Sequence, residues 1–169
     1  MMTLRPEKGT YLLILKAIHQ FECEVGKLGW MAGVPGFYCY VGSAQGPGGV
    51  LARVKHHLTV ATRPHWHLDY LRPYVQPLEV WCCYSPVFLE HRWANTLIEL
   101  AHDPLPMPGF GASDCACDGH LTYFKHPPSI GRFKNQLLTL DAYERVQGER
   151  QFTRHMHNIA ASLSRIKIE

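Results

Sequence analysis

The stretch Tyr38-Cys39-Tyr40-Val41-Gly42-Ser43-Ala44 decides how the chain folds. Aromatic and β-branched residues from Phe37 to Val41 read as a strand. Gly42 to Gly49 then holds four glycines and Pro47, which predicts a loop. Beyond it, Val50, Leu51, Val54 and Leu58 fall at helical spacing, so Val50 to Leu58 reads as a helix. Upstream, Tyr11 to Leu15 is apolar without alternation and of strand length, which suits a strand buried on both faces. Phe21-Glu22-Cys23-Glu24-Val25 alternates like a half-exposed strand, and Gly33-Val34-Pro35-Gly36 is a turn signal.

Downstream, Val75 to Tyr84 reads as a strand. Ser85-Pro86 supplies an N-cap and a first-turn proline for a helix with Leu89, Trp93, Leu97 and Ala101 on one face, ending before Asp103-Pro104. Leu105 to Gly119 is a long loop, and Leu121 to Phe124 a short strand. Pro127-Pro128 marks a boundary, after which Phe152, Met156, Ile159, Leu163 and Ile166 form a narrow apolar stripe predicting a helical tail. The order predicts an α/β fold, an α+β sandwich with a small mixed or antiparallel central sheet flanked by helices. The expected division is a domain over 8–126 and a helical C-terminal extension over 127–169.

With 169 residues there is room for one ordinary domain. A hydrophobic content of 46 % excludes a disordered chain. The net charge of +3 does not by itself announce a nucleic-acid binder. The first residues carry no apolar core after Arg5, and Leu12 to Leu15 is far too short to cross a bilayer. The expected compartment is therefore the cytoplasm, with Cys23, Cys39, Cys82, Cys83, Cys115 and Cys117 reduced and no membrane partner. Eleven histidines are a surplus, and seven of them lie from His56 to His120. Such a surplus asks for metal, catalysis or phosphate contact.

Several residues carry chemistry. Tyr11 and Tyr40 lie in two strands, each near a glycine (Gly9 and Gly42) that permits close backbone approach. As single residues, both read better as core tyrosines. Arg53 and His57 are four apart on one helix and project from one face, a pairing able to clamp a phosphate or carboxylate. The plainer reading is a solvated helix face. Glu90 in the first turn of a helix complements the dipole, or serves as an oxygen ligand for a hard divalent cation.

Taken together, Gly9-Thr10-Tyr11, then Tyr40-Val41-Gly42-Ser43-Ala44, then Arg53, His57 and Glu90 ahead of Trp93-Ala94 resemble the ordered motifs of the GIY-YIG nuclease superfamily. The match is closer to a branch of small proteins of unknown function, found alone or fused to endonuclease III-type glycosylases. Val25-Gly26-Lys27-Leu28-Gly29, Tyr38 to Ala44, His65-Trp66-His67-Leu68-Asp69-Tyr70-Leu71, and Gly109 to Cys117 continuing to His120-Leu121-Thr122-Tyr123-Phe124 carry that closer match. It spans Lys8 to Phe124.

The resemblance implies a GIY-YIG-like nuclease domain over 8–126 and a divalent-metal-dependent endonuclease that cuts DNA in repair or processing. It implies that Tyr11 activates or orients the attacking water, Tyr40 shapes the site, Arg53 steadies the scissile phosphate and His57 completes the set. Glu90 would bind one Mg²⁺ or Mn²⁺. The two tyrosine motifs stand further apart than is usual in the superfamily, consistent with an inserted strand between Phe21 and Gly36. Gly42, Ser43, Lys55, His67 and Arg72 are the expected DNA-phosphate contacts, on a face that also holds Arg63, Lys125, Arg132 and Lys134. Branched or damaged DNA and a repair protein are the expected partners, and the tail helix is a candidate for dimerisation or for covering a sheet edge. A second reading is a non-catalytic nucleic-acid-binding module of the same fold.

Two blocks stand apart. His65-Trp66-His67-Leu68-Asp69 is bracketed by Pro64 and Pro73, which favours a structured loop near the site, with His67 and Asp69 as phosphate or supporting contacts. Cys115, Cys117 and His120 offer three soft ligands in six residues. Zinc in a structural site takes four, and cysteines are usually two to four residues apart. The expected state of this block is therefore an ordered loop with buried thiols, and a structural zinc protein is a third reading.

Overall fold

The computed structural model describes residues 3–85, 87–101, 105–146 and 160–168, with no account of side chains over 140–146. At its centre is β1 (Gly9–Ala17), buried along its length except at Lys16. Because side chains alternate along a strand, Tyr11, Leu13 and Leu15 enter one core while Leu12 and Ile14 enter the other. An uninterrupted apolar run is thus what a strand covered on both sides requires.

Chain order continues with β2 (Phe21–Glu24), β3 (Trp30–Gly33), β4 (Gly36–Ala44), α1 (Gly49–Leu58), α2 (His67–Leu71), β5 (Gln76–Cys83), α3 (Glu90–Leu100), β6 (Leu121–Phe124), α4 (Ile130–Val146) and β7 (Ser164–Lys167). The main sheet runs β6-β4-β1-β5-β7, with every pairing antiparallel. β2 and β3 make a separate hairpin, which packs Cys23, Val25 and Met31 into the first core. This hairpin is the insertion between the two tyrosine strands.

The two faces differ in what covers them. On the first, Val50 and Val54 of α1, Leu68 and Leu71 of α2, and Phe110 of the long loop pack over Tyr11, Leu13 and Leu15. On the second, Trp93 and Leu97 of α3 and Phe133 and Leu137 of α4 pack over Leu12, Ile14 and Trp81. Cys82 and Cys83 are core residues on opposite faces. The α1 start depends on Gly49, whose φ of +53° places it in the left-handed region. A side chain there would also meet the Glu7 carbonyl at 2.1 Å.

Five features differ from the sequence reading. Gly42 to Ala44 belongs to β4, not to a loop. Trp30–Gly33 is a strand that glycine and alanine conceal. His67–Leu71 turns into a short helix rather than a loop. Helix α3 opens at Glu90 with Leu89 as its N-cap, while Ser85 Oγ accepts only a local bond from the Val87 amide, 3.2 Å away. The tail is helical over Ile130–Val146 but returns as a strand, β7, against the β5 edge. Leu163 and Ile166 therefore serve opposite faces of the sheet instead of one helical stripe. Phe152, Met156 and Ile159 lie outside the described residues. No helix among the described residues is long and apolar enough to cross a membrane.

Candidate functional site

Tyr11 of β1 and Gly42 of β4 are directly paired across the sheet. A methyl group added at Gly42 would fall 2.3 Å from Tyr11 Oη, so only glycine lets the phenol lie across the neighbouring strand. Tyr40 sits two residues earlier on the same face, with ring centroids 6.5 Å apart. Both tyrosines line the floor of an open cleft of about 570 Å³. Its walls come from Arg53 of α1, Glu90 at the start of α3, the segment ahead of α2, and the long loop at Gly111 and Asp114.

Beneath the floor lies a buried polar chain. His57 Nε2 is 3.0 Å from Tyr11 Oη. On the other side of the imidazole, Nδ1 faces Asp69 Oδ1 at 3.8 Å. Burial is the largest influence on His57 and lowers its pKa to about 3, against the pull of Asp69. The ring is therefore neutral at physiological pH and carries one N–H. With that hydrogen on Nδ1 toward the carboxylate, Nε2 accepts the phenolic O–H. Burial also raises Tyr11 well above the usual tyrosine value, with Tyr40 adding to the rise and Arg53 opposing it. Tyr40 is raised in the same way, by burial and then by Glu90.

Asp69 is a construction point for this chain. Its Oδ2 accepts the amides of His65 at 2.9 Å and Trp66 at 3.0 Å, and its Oδ1 receives His56 Nε2 at 2.9 Å. Burial would raise its pKa, but these bonds outweigh it and hold the carboxyl below its ordinary range. The turn that Asp69 ties down presents the Trp66 indole, and the Arg53 guanidinium lies 4.3 Å above that ring. Stacking fixes the direction of the guanidinium without using its donors. No carboxylate among the described residues forms an ion pair with Arg53.

The structure brings Tyr11, Tyr40, Gly42, Ser43, Arg53, His67 and Glu90 to one cleft, with His57 directly below it. His67 lines the wall while its Nδ1 accepts the Gly111 amide at 2.8 Å, which secures the long loop. Two residues expected at the site are elsewhere. Arg72 is buried, and its guanidinium donates to the carbonyls of His57, Leu58 and Val75, closing the C-terminal end of α1. Three of its five N–H donors are used in this way, and at 6 % exposure the side chain does not line the cleft. Lys55 is exposed two positions beyond Arg53, about 200° around the helix, and does not line the cleft.

Other contributors escaped the sequence reading. Gln45 lines the cleft, and its Nε2 and the Ser43 Oγ are buried without a hydrogen-bond partner. Asp114 supplies a second carboxylate to the wall. Glu90 Oε1 lies 3.4 Å from His120 Nδ1. Behind Glu90, His91 meets Cys115, Cys117 and His120, with all four ligand atoms within 4.8 Å of one another. Only the last three could be suspected from local spacing, because His91 is far from them in sequence.

Residues 10–140 match the family described as "Domain of unknown function DUF123", and the chain belongs to that family. No curated protein and no solved structure matches the chain.

Proposed function

We propose that this DUF123 protein is a divalent-cation-dependent endonuclease that hydrolyses DNA phosphodiester bonds in the cytoplasm, in repair or processing, with a site of the GIY-YIG kind. The observation that carries the reading is the convergence of Tyr11, Tyr40, Arg53 and Glu90, from four different elements, on one cleft. Around them stand an Arg53 stacked on Trp66 and two buried polar groups, Ser43 Oγ and Gln45 Nε2, with no partner. A phosphodiester offers what these groups lack: negative charge and acceptor oxygens.

The oxygen donors of Glu90 and Asp114 suit Mg²⁺ or Mn²⁺, hard cations that favour carboxylate and water. Such an ion, when bound, supplies Lewis-acid charge at the phosphate. Arg53 offsets the charge of the non-bridging oxygens, and the Ser43 hydroxyl and Gln45 amide donate to them. Tyr11 orients the attacking water. With its own proton held by His57 Nε2 across the 3.0 Å contact, Tyr11 Oη keeps a lone pair to accept a hydrogen bond from that water. Asp69 faces the other ring nitrogen, 3.8 Å away, and favours the tautomer with its hydrogen there. The water oxygen bonds to phosphorus as the bond to the leaving sugar oxygen breaks, and the proton lost by the water passes through solvent to that oxygen.

The test is nicking of supercoiled, single-stranded and branched DNA by purified protein with Mg²⁺ or Mn²⁺. Wild type is expected to cut. Arg53→Ala and Glu90→Ala are expected to lose about 100-fold or more, the size of losing one preorganised electrostatic contact. Background nicking equal in all three proteins overturns the proposal. DNA binding without cutting would instead favour a non-catalytic module of the same fold.

A further inference from the structure

The geometry points to a tetrahedral zinc site formed by His91, Cys115, Cys117 and His120, separate from the cation expected at the cleft. These side chains come from three places: the second residue of α3, the long loop, and the residue just before β6. Their four ligand atoms lie within 4.8 Å of one another. Zinc with Zn–S of about 2.3 Å and Zn–N of about 2.0–2.1 Å sets its donors roughly 3.3–3.8 Å apart. Cys115 Sγ and His120 Nε2 are already 3.4 Å apart, and the His91 and His120 rings approach to 5.9 Å between centroids.

The donor set selects the metal. Two thiolates and two imidazoles are soft to borderline ligands that favour zinc over magnesium or manganese. Four protein ligands fill a tetrahedron and leave no position for water, which marks a structural rather than a catalytic ion. A single residue between the cysteines is awkward on an extended backbone, because both sulfurs would share a face but stand about 6–7 Å apart. Here the loop turns at that point, and both sulfurs face the histidines. Binding would release one proton from each thiol.

The second nitrogen of His120 strengthens the assignment. His120 is 2 % exposed and turns its Nε2 toward Cys115, while its Nδ1 has no hydrogen-bond partner and faces Glu90 Oε1 at 3.4 Å. A ligating histidine commonly gives its other N–H to a carboxylate, and a closure of a few tenths of an ångström would complete that pair. Zinc bound here would fasten residues 105–120, which contain no helix or strand, to the start of α3. Glu90, next to His91, would be fixed at the cleft as a result.

The test is metal analysis of the full chain purified under reducing conditions, together with Co²⁺ replacement. One zinc per chain is expected. The Co²⁺ form should show thiolate-to-metal charge transfer and the intense visible bands of a tetrahedral ion. The Cys115→Ser, Cys117→Ser double variant should lose the ion. Glu90→Gln should keep it with affinity weakened about 10-fold or more, as for a supporting contact. Zinc far below one per chain, a Co²⁺ spectrum without thiolate bands, or a double variant that binds zinc like wild type overturns the site. The wild-type cobalt spectrum decides the matter even if the variants fail to fold.

Discussion

The hydroxyl of Tyr11 and Nε2 of His57 lie 3.0 Å apart, each residue 1 % exposed, on neighbouring elements β1 and α1. The contact joins the floor of the cleft to a histidine that solvent cannot reach. It follows that the state of His57 governs both the position of Tyr11 and part of the stability of the fold.

The first prediction concerns acid. The pKa of His57 falls from an ordinary 6.5 when unfolded to about 3 when folded. The unfolded chain therefore takes up the extra proton first. The contribution of neutral His57 is fully present above pH 6.5 and declines as pH falls toward 3, by about 1 kcal/mol per pH unit. Urea unfolding of wild type and His57→Gln between pH 4.5 and 7 measures this. The difference between the two curves should grow against wild type as the solution is acidified. A constant difference would mean that His57 is not held neutral.

Asp69→Ala should cost about 1–3 kcal/mol, since the Oδ2 oxygen it removes serves the amides of His65 and Trp66. The loss should also free Trp66, and with it the Arg53 guanidinium. The signature is a fall in indole fluorescence anisotropy at Trp66 in a variant whose far-ultraviolet circular dichroism is unchanged. An Asp69→Ala variant as stable as wild type would show that the carboxylate does not organise this turn.

Gly42→Ala tests the close approach at the sheet. The added carbon collides with Tyr11 Oη, so the ring must move or the strands must part. A destabilisation of about 1–3 kcal/mol is expected from the overpacking. DNA nicking should fall by at least about 10-fold through loss of the Tyr11 position. A crystal structure of the variant with Tyr11 in place and full activity would contradict the reading.

Arg53 and Arg72 should separate cleanly. Arg72→Met removes donors from three carbonyls, two of them at the end of α1, and should cost about 2–4 kcal/mol. Arg53→Met should change stability by less than about 1 kcal/mol, yet weaken DNA binding and flatten its salt dependence. Denaturant titration and binding measured at two salt concentrations distinguish them. Equal loss of DNA affinity in two fully stable variants would return Arg72 to the binding surface.

How far the sequence carried these conclusions depended on the range of each interaction. β1 and the buried face of α3 were legible because strand burial and helical spacing are local patterns. Tyr11, Tyr40, Arg53 and Glu90 could be singled out because their order matched ordered motifs. Gly42 was misplaced because glycine signals a loop, whereas here it is required inside a strand by a tyrosine about thirty residues away in sequence. Arg72 looked like any surface arginine, and only the fold reveals the three carbonyls around it. His91 could not be joined to Cys115 before the structure placed the long loop against α3. β7 was hidden for a similar reason, since two apolar residues three apart suit a helix as readily as the two faces of a strand.

The pairing of β5 with β7 has a kinetic consequence. Trp81 aligns with Arg165, and Glu79 takes two hydrogen bonds from the Arg165 side chain, one of them 3.0 Å long, across a sequence separation of 86 residues. By contrast, the β2–β3 hairpin closes within a dozen residues. Loops that long close late, after local contacts have formed. The edge of β5 and that of β4, which β6 covers across a similar span, are therefore the late borders of the sheet during folding, and until β7 arrives the apolar segment of β5 around Val80 and Trp81 is open to another chain. Arg165 and Lys167 on β7 do more than complete the sheet: their arrival closes one of its two late edges against pairing with another chain.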